Sequence, residues 1–147
     1  MKRIMIIGIV CMIAAGCDSN HGNGVGGRDL AGTKWRLTAW SVSSLDSSQF
    51  TITADFDDSQ ISGTSAVNSY GGPYTAGSDG TFSVGELRAT RMAGSEVAMR
   101  AEAIYFDLLQ QARNYAATET TLTLKNEGDQ EILIFEVNET GSDTTER

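Results

Sequence analysis

The side chains able to do chemistry are few and poorly placed for it. One histidine occurs in 147 residues. It is His21, inside residues 18–28 (DSNHGNGVGGR), a Gly- and Asn-rich stretch with nothing to bury, which reads as a random-coil tether. A general base must be held rigidly within hydrogen-bond reach of its proton, so His21 is given no catalytic role. Asp55, Asp57 and Asp58 crowd carboxylates as a calcium loop does, but such a loop wants Gly at its sixth place and Glu at its twelfth. Counted from Asp55, those places hold Gln60 and Ala66, and a solvated turn is the better reading. Glu86, Glu96, Glu102 and Glu119 are the carboxylates left to meet in space as an acid–base pair, although nothing in their spacing demands it. No P-loop, zinc-ligand pair or Ser-His-Asp set is present. The sequence therefore predicts no catalytic residue, no metal and no cofactor.

The cysteines carry a different chemistry. Cys17 closes the run Ala14, Ala15, Gly16, Cys17, which resembles a bacterial lipoprotein box: small residues before a cysteine that is acylated at the new N-terminus. Leu is commoner than Ala at the place of Ala14. Lys2 and Arg3 give the charged start, and residues 4–15 an apolar run shorter than the ~20 residues a spanning helix needs. Residues 1–16 are read as a lipoprotein signal peptide, with a plain secretory signal as the alternative. Cys11 would leave with that segment, so the mature chain would keep acylated Cys17 and no disulfide. The expected partner is then a lipid bilayer, held firmly because several acyl chains sit on one cysteine. Asp18 resembles an inner-membrane retention signal whose rule varies between bacterial groups. The expected location is the bacterial cell envelope, lipid-anchored, on a periplasmic or outer face, with the choice of membrane open.

Charge narrows the partners further. The formal net charge is −8, and loss of Lys2 and Arg3 takes it to −10. That opposes nucleic acid, whose phosphates need basic contacts, and suits solubility or a basic partner.

The elements that would position these residues are mostly strands. Trp35, Leu37 and Ala39 alternate with Lys34, Arg36 and Thr38. Trp40 then falls on the opposite face, covering an edge or marking a bulge. Phe50, Ile52, Ala54 and Phe56 line one side of a second strand, and Asp57, Asp58 and Ser59 turn the chain. Residues 60–92 form a β-meander. Ile61, Gly63, Ser65 and Val67 share a face, and Asn68 marks a turn or bulge. Tyr70, Gly72 and Tyr74 share the next face, with a gap between the rings, while Pro73 places that strand at an edge or bulge. Ser78, Asp79 and Gly80 turn the chain into Phe82 and Val84. One long helix is predicted over residues 95–113, capped by Ser95, with Val97, Ala101, Ile104, Tyr105, Leu108, Ala112 and Tyr115 in one apolar stripe. Residues 121–125 and 131–137 are closing strands, the second apolar on both faces and so central. The domains are expected as signal peptide 1–16, lipidated cysteine and tether 17–28, a globular domain 29–138 and a disordered tail 139–147.

Two groups of residues carry a family resemblance. Gly63, Asn68, Tyr70, Gly72, Pro73 and Tyr74 form the first with Ser65, Val67 and their neighbours. Leu87, Thr90, Met92 and Ala93 form the second. With Leu30, Gly32, Thr33 and Trp35 upstream and Glu102, Leu108 and Leu109 later, they resemble the META domain family, which includes HslJ-like heat-inducible lipoproteins. The resemblance spans residues 30–137. It implies a mainly β architecture, a small antiparallel, partly open barrel-like sheet with one long amphipathic helix packed across it. It also implies envelope lipoproteins linked to heat stress and novobiocin tolerance, without known enzymatic activity. Members usually carry a cysteine just before the Asn and a second just after the Thr-x-Met-Ala run. Val67 and Gly94 stand in those places here.

The function expected is a non-catalytic, membrane-anchored module that binds or shields an unknown envelope component. Trp40, Tyr70 and Tyr74 are its candidate contact residues, with ordinary barrel packing as the competing reading. A small-ligand carrier would need a cavity inside the barrel. An inhibitor of a basic envelope hydrolase would use an acidic loop and bind salt-sensitively.

Overall fold

The computed structural model describes residues 28–42 and 44–139. The expected signal peptide, Cys17, His21 and most of the expected tether and tail lie outside the described residues. Among the described residues nine strands and one α-helix follow in the order β1 (Lys34–Trp40), β2 (Thr53–Phe56), β3 (Gln60–Thr64), β4 (Ser69–Ala76), β5 (Phe82–Val84), β6 (Arg88–Ala89), α1 (Glu96–Gln111), β7 (Asn114–Ala117), β8 (Thr121–Lys125) and β9 (Glu131–Val137), with a short 3-10 turn at Ser47–Gln49 between β1 and β2. All neighbours pair antiparallel, in the order β5-β4-β3-β2-β1-β9-β8-β7 with β6 on the first half of β4. The two ends of this path meet. Phe82 N–H donates to Arg113 O and Tyr115 N–H to Gly80 O, both at 2.8 Å. The sheet is thus a nearly closed barrel with one helix across it, as expected.

Alternation fills the interior. Trp35, Leu37, Ile52, Ala54, Phe56, Ile61, Phe135, Leu122, Leu124 and Leu133 point inward and are buried, and α1 adds Ala101, Tyr105, Leu108 and Leu109. Ser95 caps the helix through Ala98 N–H at 3.2 Å. Rings pack edge to face in a run from Tyr74 through Phe56 and Phe82 to Tyr115, the geometry their quadrupoles favour.

Four expectations need correction. The helix ends at Gln111, with Ala112 already extended (ψ 132°), and Tyr115 lies in β7 rather than on the apolar stripe. Two residues suffice for the switch, because Arg113 and Asn114 at once find partners on β8 and near β5. Val97, at the first turn, is 50 % exposed rather than part of the buried stripe. Pro73 is not on a sheet edge, since residues 69–73 of β4 pair with β3 on one side. On the other side β6 serves Tyr70 and Gly71, and β5 serves residues 74–76, so the missing N–H of Pro73 falls in the break between them. Finally, β9 is central but not covered on both faces: Ile134 is half-buried and Val137 exposed.

Trp40 follows a bulge, which falls at Thr38. The register between β1 and β9 shifts between Leu37 and Ala39. The Trp40 ring comes to rest half-buried against Phe50, its Nε1–H donating to Leu45 O at 2.8 Å.

Candidate functional site

Three residues of the family pattern, Asn68, Thr90 and Met92, gather at one buried carboxylate. Glu102 sits on the flank of α1 and is 8 % exposed. Its Oε2 accepts from Ser65 Oγ at 2.7 Å and from Asn68 N–H at 3.0 Å, and its Oε1 accepts from Asn68 Nδ2 at 2.9 Å. The Asn68 Oδ1 in turn accepts from Thr90 Oγ1 at 2.9 Å and from Met92 N–H at 2.7 Å. Thr90 N–H pairs back to Ser69 O at 3.0 Å. Ser65 has one hydroxyl hydrogen and two oxygen neighbours, Glu102 Oε2 and Asn68 O, so it serves one at a time.

Local sequence explains the placement. Residues 65–68 close a tight turn, Ser65 N–H donating to Asn68 O at 2.8 Å, and Ala66 takes the left-handed conformation (φ 77°). Asn68 itself is spared that conformation, so its amide is free to bridge the turn to the loop after β6. Glu102 is then the anchor that joins turn and loop to the helix. Such charge-assisted bonds exceed neutral ones in strength, and the burial makes each unmade bond costly. This arrangement fastens three segments. The Ser65 hydroxyl lies beside the Glu102 carboxylate, but both side chains are buried, so the pair presents no open face to a substrate.

The remaining pattern residues are explained by geometry too. Gly32 turns the chain at φ 78°, Thr33 Oγ1 donates to Leu30 O at 2.5 Å, and buried Trp35 donates through Nε1 to Thr33 Oγ1 at 2.7 Å. Gly63 lies where a Cβ would stand 2.2 Å from Thr53 O. The gap between Tyr70 and Tyr74 is filled by chain, since a Cβ on Gly72 would meet Glu86 O at 2.7 Å. Met92 contributes its backbone, while its side chain is 57 % exposed.

The contact candidates fare unequally. Tyr70 faces inward and is buried, its hydroxyl donating to Thr53 O at 2.8 Å and lying 2.6 Å from Tyr105 Oη. It carries packing, not a contact surface. Burial, then the neighbouring Tyr105 and Asp55, hold its hydroxyl well above the ordinary tyrosine range. Tyr105 is likewise pushed up by burial, partly offset by its bond to Tyr70. Trp40 is occupied with Phe50 and Leu45. Tyr74 is half-buried; its hydroxyl donates to Asp57 O at 2.7 Å, and its ring borders a surface depression with Asp29, Asp58 and Tyr115. Burial raises the Tyr74 hydroxyl, with Asp29 adding to it.

The other ionisable candidates stay apart. Glu86 and Glu119 border different surface depressions and Glu102 is inside. Asp57 Oδ1 is taken by the Ser59 and Gln60 amides of its own turn. Among the described residues no group of three His, Cys, Asp or Glu is placed to hold a metal ion. Sequence reasoning missed Ser65 as a polar member of the site and the role of Glu102. A lone carboxylate set between Ala101 and Tyr105 on a buried flank was the available signal.

The positions of the absent cysteine pair adjoin this site. A Cβ built on Gly94 would lie 2.7 Å from Val67 Cγ2 and 3.5 Å from Val67 Cβ. The valine side chain thus covers Gly94 in the place that the resemblance gives to a cross-link.

Comparison with known proteins agrees with the fold. A protein from Burkholderia xenovorans, solved by NMR, is 27 % identical, with a TM-score of 0.62 over 75 % of this chain and 84 % of that one. A crystal structure of a DUF4847 family protein from Bacteroides vulgatus matches at 15 % identity and a TM-score of 0.57, over 74 % of this chain and 94 % of that one; it shares the fold. No curated protein matches the chain. The META domain profile matches residues 28–139. The chain belongs to the META domain family.

Proposed function

We propose that the chain is a non-catalytic binding or structural module of the bacterial cell envelope, moored to a membrane through acylated Cys17 and serving in stress or antibiotic tolerance. The observation that carries the non-catalytic part is the dispersal of the ionisable groups: Glu102 is buried and committed to three donors, while Glu86 and Glu119 border separate depressions. An acid–base pair needs both groups at one substrate. A carrier is disfavoured because large side chains, Trp35, Tyr105 and Phe135 among them, fill the barrel where a ligand would lie. The anchoring part rests on the sequence around Cys17 alone.

Fatty-acid labelling with membrane fractionation tests the anchor. The full chain is expected labelled and in the membrane fraction, and a Cys17→Ser variant unlabelled and released. Wild-type chain found soluble and unlabelled would overturn it. In-cell crosslinking of the anchored chain then tests the module: a captured envelope protein supports it, and a bound small molecule with no captured protein overturns it in favour of the carrier.

A further inference from the structure

The described residues hold no cysteine and two methionines, Met92 and Met99. Methionine ranks with leucine and phenylalanine among the side chains usually enclosed, and its flexible thioether fills irregular gaps. Neither methionine is used that way here. Among the described residues the buried apolar side chains are Leu, Ile, Phe, Tyr, Trp and Ala alone, so the core holds no sulfur. Both thioethers stand outside, Met92 at 57 % and Met99 at 39 % exposure.

The fold holds them there. Met92 N–H donates to Asn68 Oδ1 at 2.7 Å, and Met92 O accepts from Asn68 Nδ2 at 3.4 Å. One asparagine thus grips the backbone of Met92 on both sides while its side chain projects into solvent. Met99 N–H donates to Ser95 O at 2.9 Å in the first turn of α1. Met99 lies two residues before fully buried Ala101, so at about 100° per residue it falls on nearly the opposite side of the helix.

An exposed thioether offers what Leu or Ile does not, a sulfur lone pair that oxidants can reach. Oxidation to the sulfoxide makes the side chain polar, which disrupts a core, and reductases reverse it. We propose that Met92 and Met99 are sacrificial oxidation sites, at which the domain consumes a two-electron oxidant of the hypochlorous acid class while its fold stands. The sulfur lone pair attacks chlorine and expels hydroxide. Water then adds to sulfur, chloride leaves, and two protons are released, one of which neutralises the hydroxide. Sulfur is oxidised by two electrons and chlorine reduced by two; the net products are sulfoxide, chloride and one proton. The Asn68 contacts survive because they use only backbone groups of Met92. The sites stand independently of the Cys17 anchor, so failure of either reading leaves the other standing.

The test treats the full chain with stoichiometric hypochlorous acid, quenches it and digests it with trypsin. Residues 92–100 (MAGSEVAMR) leave as one peptide carrying both sulfurs. That peptide is expected to gain an oxygen at each sulfur, with Met92 converted at least as fast as Met99. The oxidised chain is expected to melt within about 2 °C of the untreated one, as surface changes do. In a Met92→Leu, Met99→Leu chain the same dose is expected to oxidise half-buried Trp40 more, by at least about twofold. Sulfurs that react only once the chain is unfolded would overturn the proposal, since both would then be covered. A fall in Tm of more than about 5 °C on oxidation, absent from the Leu variant, would overturn it as well. So would equal oxidation of Trp40 in the two chains.

Discussion

Restoring a cross-link between residues 67 and 94 tests whether the turn before β4 and the loop before α1 lie as described. In Val67→Cys with Gly94→Cys, the two Cβ atoms would stand near the 3.5 Å separation seen between Val67 Cβ and a Cβ built on Gly94. That lies at the short end of the disulfide range of about 3.5–4.5 Å. The bond closes a loop of about 27 residues, for which the chain-entropy model gives about 3.5 kcal/mol. Loss of the Val67 methyl groups costs about 1 kcal/mol. The net gain of about 2–3 kcal/mol corresponds to a rise in Tm on the order of 10 °C for a domain of this size. Gly94→Cys alone should destabilise, because its Cβ would meet Val67 Cγ2 at 2.7 Å. Thermal melts of the full chain with and without reductant, with peptide mapping of the bond, read the outcome. A variant that stays reduced under oxidising conditions, or that forms the bond without gaining stability, refutes the reasoning.

The remaining predictions concern the buried polar groups. Glu102→Gln puts an amide nitrogen against either Asn68 Nδ2 or Asn68 N–H, so one donor loses its acceptor whichever way the amide turns. Urea unfolding should show a loss of about 2–4 kcal/mol, with Glu119→Gln as the silent control, and a loss under about 0.5 kcal/mol would count against the network. Tyr70 and Tyr105 have hydroxyls raised above the ordinary value of 10.0. In the unfolded chain they ionise near pH 10 and in the folded chain only above it, so their contribution to stability is full below pH 10 and is lost as the pH climbs past it. Unfolding free energy should therefore fall from about pH 10 upward by as much as ~1.4 kcal/mol per pH unit per group, and both residues replaced by Phe should flatten that limb. A wild-type limb already flat would contradict the burial of the pair.

Much of the architecture was legible in the sequence because alternation and turn chemistry are local. Strands β1, β3, β8 and β9, the turn at residues 78–80 and the Ser95 cap follow from neighbours within a few residues. Strand β7 was not legible. Tyr115 and Ala112 continue the helical spacing, and only the partners waiting on β8 and near β5 pull residues 114–117 into a strand. The place of Pro73 was hidden for a similar reason, since two short strands sharing one side of β4 leave no local signature. The site was half visible. Asn68, Thr90 and Met92 stood in the pattern as residues, but their meeting with Glu102 joins positions 34 apart through side-chain bonds that no periodicity reports.

The central claim is that the family pattern builds a latch in which Asn68 ties a turn and a loop to the helix through Glu102. Amide hydrogen exchange of Asn68 and Met92 tests it most directly, because both N–H groups are held by side-chain acceptors, at 3.0 and 2.7 Å. The latch predicts that both exchange as slowly as core strand amides such as Leu133, through global unfolding, and that Glu102→Gln speeds Asn68 at least tenfold. Exchange of Asn68 and Met92 at the rate of open loop amides, while Leu133 stays protected, would contradict it.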